Sequence, residues 1–181
     1  MDTIIFGSDL HGSLPALTTL LEKAEKVQAS RLLLGGDLCP PENTLFRIAL
    51  TNSTVEILHV RGNCDNAYDF AKAQLPLPPL IHKFLFGERT ILLTHGDRYP
   101  SPYGLGLRKG DIFISGHTHT PNLHTDAMGI ICVNPGSTTF PRNILGPTYG
   151  IIDSNSIRIL SLKDDACITE LTTYSMPRKD Q

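Results

Sequence analysis

Residues 3–37 read TIIFGSDLHGSLPALTTLLEKAEKVQASRLLLGGD. A short apolar run stops at Gly7-Ser8, a helix-length segment follows, and a second apolar run stops at Gly35-Gly36-Asp37. Ser13 is a good helix cap, and Leu14, Leu17, Leu20, Leu21, Ala24 and Val27 recur behind it at helical spacing. Glu22, Lys23, Glu25 and Lys26 fall mostly on the opposite side. Residues 31–34 form the kind of continuous apolar strand that a parallel sheet buries. A β-α-β opening of this kind predicts an α/β core.

Working outward, Pro40-Pro41-Glu42 is expected to start a short helix running to about residue 50. A third strand follows at 55–60 and a turn or two of helix at 67–74. The stretch LPLPPL at 75–80 reads as a stiff connector. Beyond it the pattern becomes strand-rich. Residues 82–86 and 90–93 flank Gly87-Glu88-Arg89 as a hairpin. Further strands are predicted at 111–115, 130–133, 149–152 and 157–160, the last two joined by the turn signal DSNS at 153–156. A last candidate strand lies at 166–172, and 174–181 reads as a frayed tail. His59, His82 and His124 fall on or near strands outside any motif and take structural readings. There is no internal repeat. The second half has too few helices for one doubly wound sheet, so two packed sheets with helices outside them suit the chain better.

The 181 residues fit one domain, 1–181, able to bury roughly 70% of its unfolded surface. Net charge is −2 and basic residues never run beyond a pair, which argues against a strong nucleic-acid footprint. The four cysteines are scattered without a C-x-x-C, as expected of reduced thiols in a cytoplasmic protein. No basic leader opens the sequence, and no stretch nears the ~18 apolar residues of a membrane span.

Five short motifs each follow a predicted strand: SDLHG (8–12), GGD (35–37), GNCD (62–65), THGD (94–97) and GHTH (116–119). They hold Asp9, His11, Asp37, Asn63, His95, His117 and His119, a mixture of oxygen and imidazole donors. Strands of an open α/β fold end together, so these residues are expected to converge in one crevice. Asp9 and His11 are two apart, as are His117 and His119. In an extended segment each pair would face one way. Two glycines before Asp37 let its backbone approach closely, making it the expected bridge between two ions ~3.5–4 Å apart. Such donors suit manganese, iron, zinc or nickel better than magnesium alone.

The motif series resembles the calcineurin-like metallophosphoesterase superfamily. More closely, SDLHGSLPA, RGNCD, LTHG, GHTH-x-P and NPGS are similar to the small bacterial YfcE-type phosphodiesterases, over about residues 3–160. The resemblance implies an α/β fold, a four-layer α/β/β/α sandwich of two packed mixed sheets flanked by helices. It implies Asp9, His11, Asp37 and His119 on one divalent ion, and Asp37, Asn63, His95 and His117 on the other. The expected cofactor is two Mn2+ ions, with iron, zinc or nickel as substitutes. The expected activity is hydrolysis of a small phosphodiester by a metal-bridging hydroxide, with Asp37, Asn63 and His95 at the chemistry. The alternative is a non-catalytic scaffold on the same fold, as in the retromer subunit Vps29; retention of all seven donors argues against it. Homo-oligomerisation stays open.

The pattern departs from relatives in three places. Cys64 stands where many carry a leaving-group histidine, and a thiol is a poor proton donor at neutral pH. Asp97 stands where close relatives carry histidine and is expected to orient a ligand histidine. The G-D-x-x-D-R-G signature of protein phosphatases is missing. The NPGS turn (134–137) is expected to pack under the metal loop. The Gly/Pro-rich loop 97–109, with Tyr99, Tyr103 and Arg108, is a candidate specificity element.

Overall fold

The computed structural model describes residues 2–173; the tail expected to fray lies outside them. Its first sheet grows from the opening β-α-β. Strand β1 (Ile4–Gly7) is wholly buried and pairs in parallel with β2 (Arg31–Leu34), which pairs in parallel with β3 (Glu56–His59). Between them α1 (Leu14–Lys26) starts at Ser13, whose Oγ accepts from Ala16 N at 3.2 Å. It buries Ala16, Leu17, Leu20 and Ala24. Helix α2 (Thr44–Thr51) begins later than expected, capped by Asn43. Pro41 keeps Pro40 out of the α region, so the chain cannot turn helical at the proline pair. Helix α3 (Ala67–Lys72) starts on Asn66.

The second sheet holds β4 (Ile81–Phe86), β5 (Arg89–Thr94), β6 (Ile112–Ile114), β7 (Asn122–Thr125) and β8 (Ile131–Asn134), in the order β4-β5-β6-β8-β7. The chain then returns through β9 (Thr148–Ile152), β10 (Ser156–Ser161) and β11 (Cys167–Thr172), so the first sheet reads β11-β10-β9-β1-β2-β3. Both sheets are mixed: β5, β6 and β8 are parallel, while β4 and β7 run antiparallel at the edges. The core between the sheets takes Ile4, Phe6 and Leu33 from one side and Ile91, Leu93, Ile114 and Val133 from the other.

All three helices pack on the outer face of the first sheet, through Leu17, Leu20, Phe46 and Phe70. Among the described residues no helix covers the second sheet. Its outer face is closed by the loop after β5, whose Leu105 and Leu107 pack on Leu92, Phe113 and Ile130. Lys83 Nζ ties that loop down by donating to the carbonyls of Leu105 (3.0 Å) and Gly106 (3.1 Å). The segment read as a specificity element thus forms the fourth layer.

Strand β7 was not foreseen, and His124 sits inside it. Only Leu123 supplies an inward apolar residue there, too little for a periodic signal. His59 lies half-buried on β3 with its ring stacked on Phe70. His82 Nε2 lies 3.1 Å from the His59 carbonyl.

Candidate metal centre

The five motifs occupy the loops after β1, β2, β3, β5 and β6. Those are the ends of the parallel strands of both sheets, and their side chains meet in one crevice. The local geometry differs from the expectation. Asp9 (φ 56°), His11 (43°), Asp37 (49°), His117 (68°) and His119 (60°) all adopt left-handed backbone, as does Cys39 (45°). The two-residue spacings therefore do not act as extended segments. β1 has stopped at Gly7 and β6 at Ile114, and each pair turns through strained residues instead. Such conformations persist only where the surroundings over-determine them.

Here the bonding does so. The loops after β1 and β2 zip together, with Asp9 N on Gly36 O (3.1 Å), His11 N on Asp37 O (2.9 Å) and Gly12 N on Leu38 O (2.8 Å). Ser137 Oγ (3.0 Å) and Thr139 Oγ1 (2.8 Å) both donate to Asp9 O. Asn134 Nδ2 donates to Gly116 O at 2.7 Å. The NPGS turn does lie under the loops, holding two of them. Asp65 is a clamp that the sequence reading did not weigh: Cys39 N and Gly62 N each donate to its carboxylate at 2.8 Å. Burial raises its pKa, against the pull of those amides.

The donors are aimed by their second contacts. His95 Nδ1 lies 2.7 Å from Gly35 O, which takes its proton and leaves Nε2 facing Asp37 Oδ1 (3.4 Å) and Asn63 Oδ1 (3.2 Å). His119 Nδ1 lies 2.7 Å from Phe140 O, leaving Nε2 3.1 Å from Asp9 Oδ1. His11 Nε2 faces His119 Nε2 (3.5 Å) and Asp37 Oδ2 (4.0 Å). The His117 ring lies 5.1 Å from that of His95. Asp9, Asp37 and His95 are buried, while Asn63 and His117 form an exposed rim. Asp97, expected to orient a ligand histidine, pairs instead with Arg98 at 3.9 Å. Backbone carbonyls do that work, and a carbonyl leaves no trace in sequence.

Gly36 shows how tightly the loops fit. It has φ +94°, and a Cβ there would lie 2.5 Å from His95 Nδ1.

The electrostatics suit a cation. Ligand atoms of Asp9, His11 and His119 lie within 4.8 Å of one another, as do those of Asp9, Asp37 and His95. Asp9 Oδ1 is buried and accepts no hydrogen bond, for the His119 Nε2 that lies 3.1 Å away has its ring proton on Nδ1, toward Phe140 O. A charged oxygen is seldom left so unless something else satisfies it. Burial pushes Asp37 up, but the His95 hydrogen bond, the His95 charge and the Cys64 amide more than reverse this and hold its carboxyl well below the usual range. Burial likewise opposes charge on His95, yet Asp37, Gly35 O and Asp9 raise it to about 9. Without cations, a proton on His95 offsets part of the acid cluster. Burial and the Asp37 carboxylate push the Cys64 thiol up to about 11.

A groove of about 450 Å³ opens beside His11. Pro15, Ala16, Thr19, Phe140 and Leu162 line it, with the Phe140 and His11 rings 5.3 Å apart. Among the described residues no helix is long and apolar enough to cross a membrane.

The chain is similar to known proteins in sequence and fold. The chain is 29% identical to phosphodiesterase YfcE of Escherichia coli, covering 94% of this chain and 98% of that one. The YfcE structure, from work describing it as a phosphoesterase, superposes with a TM-score of 0.82 at 29% identity over 94% of this chain and 99% of that chain. A probable metallophosphoesterase of Methanothermobacter thermautotrophicus is 35% identical over 61% of this chain and 62% of its own. Vacuolar protein sorting 29 of Cryptosporidium parvum shares the fold, with TM-score 0.68 at 21% identity over 94% of this chain and 98% of that chain. The model of the calcineurin-like phosphoesterase superfamily domain matches residues 1–156, a span that takes in every one of the five loops. With that match lying over the crevice just described, the chain belongs to the calcineurin-like phosphoesterase superfamily.

Proposed function

We propose that this protein hydrolyses small phosphodiesters at a centre of two divalent cations with Asp37 between them. One observation carries the reading: Asp37 Oδ1 faces His95 while Oδ2 faces His11, so its two oxygens address two separate donor sets. Asp9, His11, Asp37 and His119 would hold one ion; Asp37, Asn63, His95 and His117 would hold the other. Asp9 Oδ1, which accepts no hydrogen bond, and the tautomers set at His95 and His119 fit that role. Carboxylate, amide and imidazole donors suit Mn2+ first, with iron, zinc or nickel as substitutes. When bound, such ions neutralise phosphoryl charge and lower the pKa of water.

The protein's own residues do the rest. The loop bonds hold Asp37, Asn63 and His95 in position, and positioning is most of what phosphoryl transfer requires. Asn63, on the exposed rim, is placed to meet the phosphoryl group. The Cys64 thiol, raised to about 11, is a weak proton donor, so the leaving oxygen takes its proton from solvent. The groove beside His11 receives an ester substituent. No Lys, Arg, Asp or Glu lines it, so it suits an uncharged group.

The phosphodiesterase named among the relatives, aligned over nearly the whole chain, supports this reading. Likeness to vacuolar protein sorting 29 is one of fold, and the complete donor set here gives a scaffold reading no support. Turnover of bis-nitrophenyl phosphate by manganese-loaded protein, abolished by chelation and by Asp37→Asn, is the expected result. No turnover with any of the four metals, in protein shown to hold two ions, would overturn it.

A further inference from the structure

His11 faces two ways. Its Nε2 looks toward His119 and Asp37, and its Nδ1 lies 3.7 Å from Cys39 Sγ. His95 and His119 each pass Nδ1 to a backbone carbonyl at 2.7 Å; His11 meets sulfur instead. Cys64 completes a triangle. One ligand atom each from His11, Cys39 and Cys64 lie within 4.8 Å of one another. Ligands at about 2.0–2.3 Å from a tetrahedral ion sit roughly 3.5–3.8 Å apart. The His11–Cys39 pair, at 3.7 Å, already has that spacing, and Cys64, within 4.8 Å of both, has at most about 1 Å to close. Cys39 is fixed by its left-handed backbone and by the hydrogen bond its N–H donates to Asp65 Oδ1 at 2.8 Å. Cys64 is exposed on the loop after β3, so its side chain can rotate while its amide stays bonded to Asp37 Oδ1 at 2.8 Å; among the described residues its Sγ accepts only the 3.4 Å contact from Asn63 Nδ2.

We propose that Cys39, Cys64 and His11 form a binding site for a soft divalent cation of the zinc and cadmium class, distinct from the oxygen-and-imidazole centre but sharing His11 with it. Two thiolates and one imidazole leave a fourth position open to water. The two thiol protons pass to solvent as the sulfur–metal bonds form. Because one imidazole serves both places, filling the thiol site draws His11 from the Asp37 side. Thiophilic ions therefore inhibit the activity that manganese supports.

Cadmium chloride titrated into manganese-loaded protein tests this through thiolate-to-cadmium charge-transfer absorbance. The band is expected to saturate at one cadmium per chain, with phosphodiesterase activity falling in step. Cys39→Ser and Cys64→Ser should each weaken cadmium binding by about tenfold or more, while the Cys132→Ser/Cys167→Ser protein behaves as wild type. Cys64 is exposed, so its variant keeps the test valid if Cys39→Ser folds poorly. The absorbance reads the site whether or not the phosphoesterase reading holds. An undiminished band in the Cys39→Ser/Cys64→Ser protein, or no stoichiometric band, overturns the site. A saturated band with activity intact overturns the sharing of His11.

Discussion

Replacing Gly36 by alanine is expected to damage stability and activity together. The new Cβ would lie 2.5 Å from His95 Nδ1, 2.7 Å from its Cγ and 2.8 Å from its Cβ. These atoms belong to a fully buried side chain whose ring is pinned by a 2.7 Å hydrogen bond to Gly35 O, not to a flexible tip. Two costs follow. A left-handed backbone costs an L-residue about 1–2 kcal/mol. Forcing an extra carbon into a packed interior adds about 1–3 kcal/mol. Gly87, in the β4–β5 hairpin turn, isolates the first cost, because at φ +58° its Cβ would meet nothing within 4 Å. Gly87→Ala should therefore lose the backbone cost alone, and Gly36→Ala the sum. At roughly 2–4 °C per kcal/mol for a chain of this size, calorimetry separates the two variants. Activity separates them further. An error of about 1 Å in a catalytic group costs on the order of 100-fold, so kcat/KM should drop at least that much in Gly36→Ala. Gly87→Ala should leave it unchanged. Equal melting temperatures for the two variants, or wild-type turnover in Gly36→Ala, would refute the reasoning.

Asp37→Asn, His95→Ala and His117→Ala should each nearly abolish phosphodiesterase activity, whereas His82→Ala, whose ring meets the His59 carbonyl, should not. Equal losses at His82 and His117 would undo the division between functional and structural histidines. Cys64→Ala or Cys64→Ser should lose far less than the ~10²–10⁴-fold of a true general acid with a nitrophenolate leaving group, and Cys64→His should help poor leaving groups. A thousandfold loss in Cys64→Ala with both ions still bound would show direct chemistry by the thiol. Burial, and secondarily His82, lower His59 to about 4 from its ordinary 6.5. Its neutral ring then contributes stability that is complete above the ordinary value and is lost as pH falls from there toward 4. His59→Phe, stacking on Phe70 in its place, should lose less stability than wild type between pH 7 and pH 4.5 in urea melts; parallel losses would exclude His59 as a cause.

Residues whose burial repeats with a period were legible in the sequence, and those placed by non-local bonds were not. β2 is bounded as read, because Arg31–Leu34 is apolar and flanked by turn residues. β7 escaped because Asn122–Thr125 pairs at an edge, with polar residues on the exposed positions. The proline pair at 40–41 suggested a helix start, but Asn43 supplied the cap. The donor residues could be named from five motifs and do converge at the strand ends, but the extended backbone expected within each two-residue pair is not what the loops adopt. Extended backbone would have sent Asp9 and His11 the same way; left-handed backbone under cross-loop bonds is what brings them together. Asp97 misled for a related reason. Orientation of the histidines falls to the carbonyls of Gly35 and Phe140, groups every residue has and no motif can mark.

The charge arrangement explains why those loops bear strain. Asp9, Asp37 and Asp65 are three buried carboxylates, and the ion pairs among the described residues give none of them a lysine or arginine. Asp65 is met by two amides, and its role is to tie loops. Asp37 and Asp9 are met by imidazoles and single amides, and Asp9 Oδ1 faces the His119 imidazole without a hydrogen bond. A permanent ammonium or guanidinium at this place would satisfy the acids and stabilise the apo fold. It would also fill the space and repel cations. Imidazoles do neither, because they surrender a proton when a cation arrives. The strained loops are what bring neutralisable donors, rather than fixed positive charges, up to the carboxylates. The crevice is thus under-neutralised on its own and suited to completion by divalent ions. In this reading, the same feature that makes the isolated site costly makes it competent for a doubly charged phosphoryl transition state.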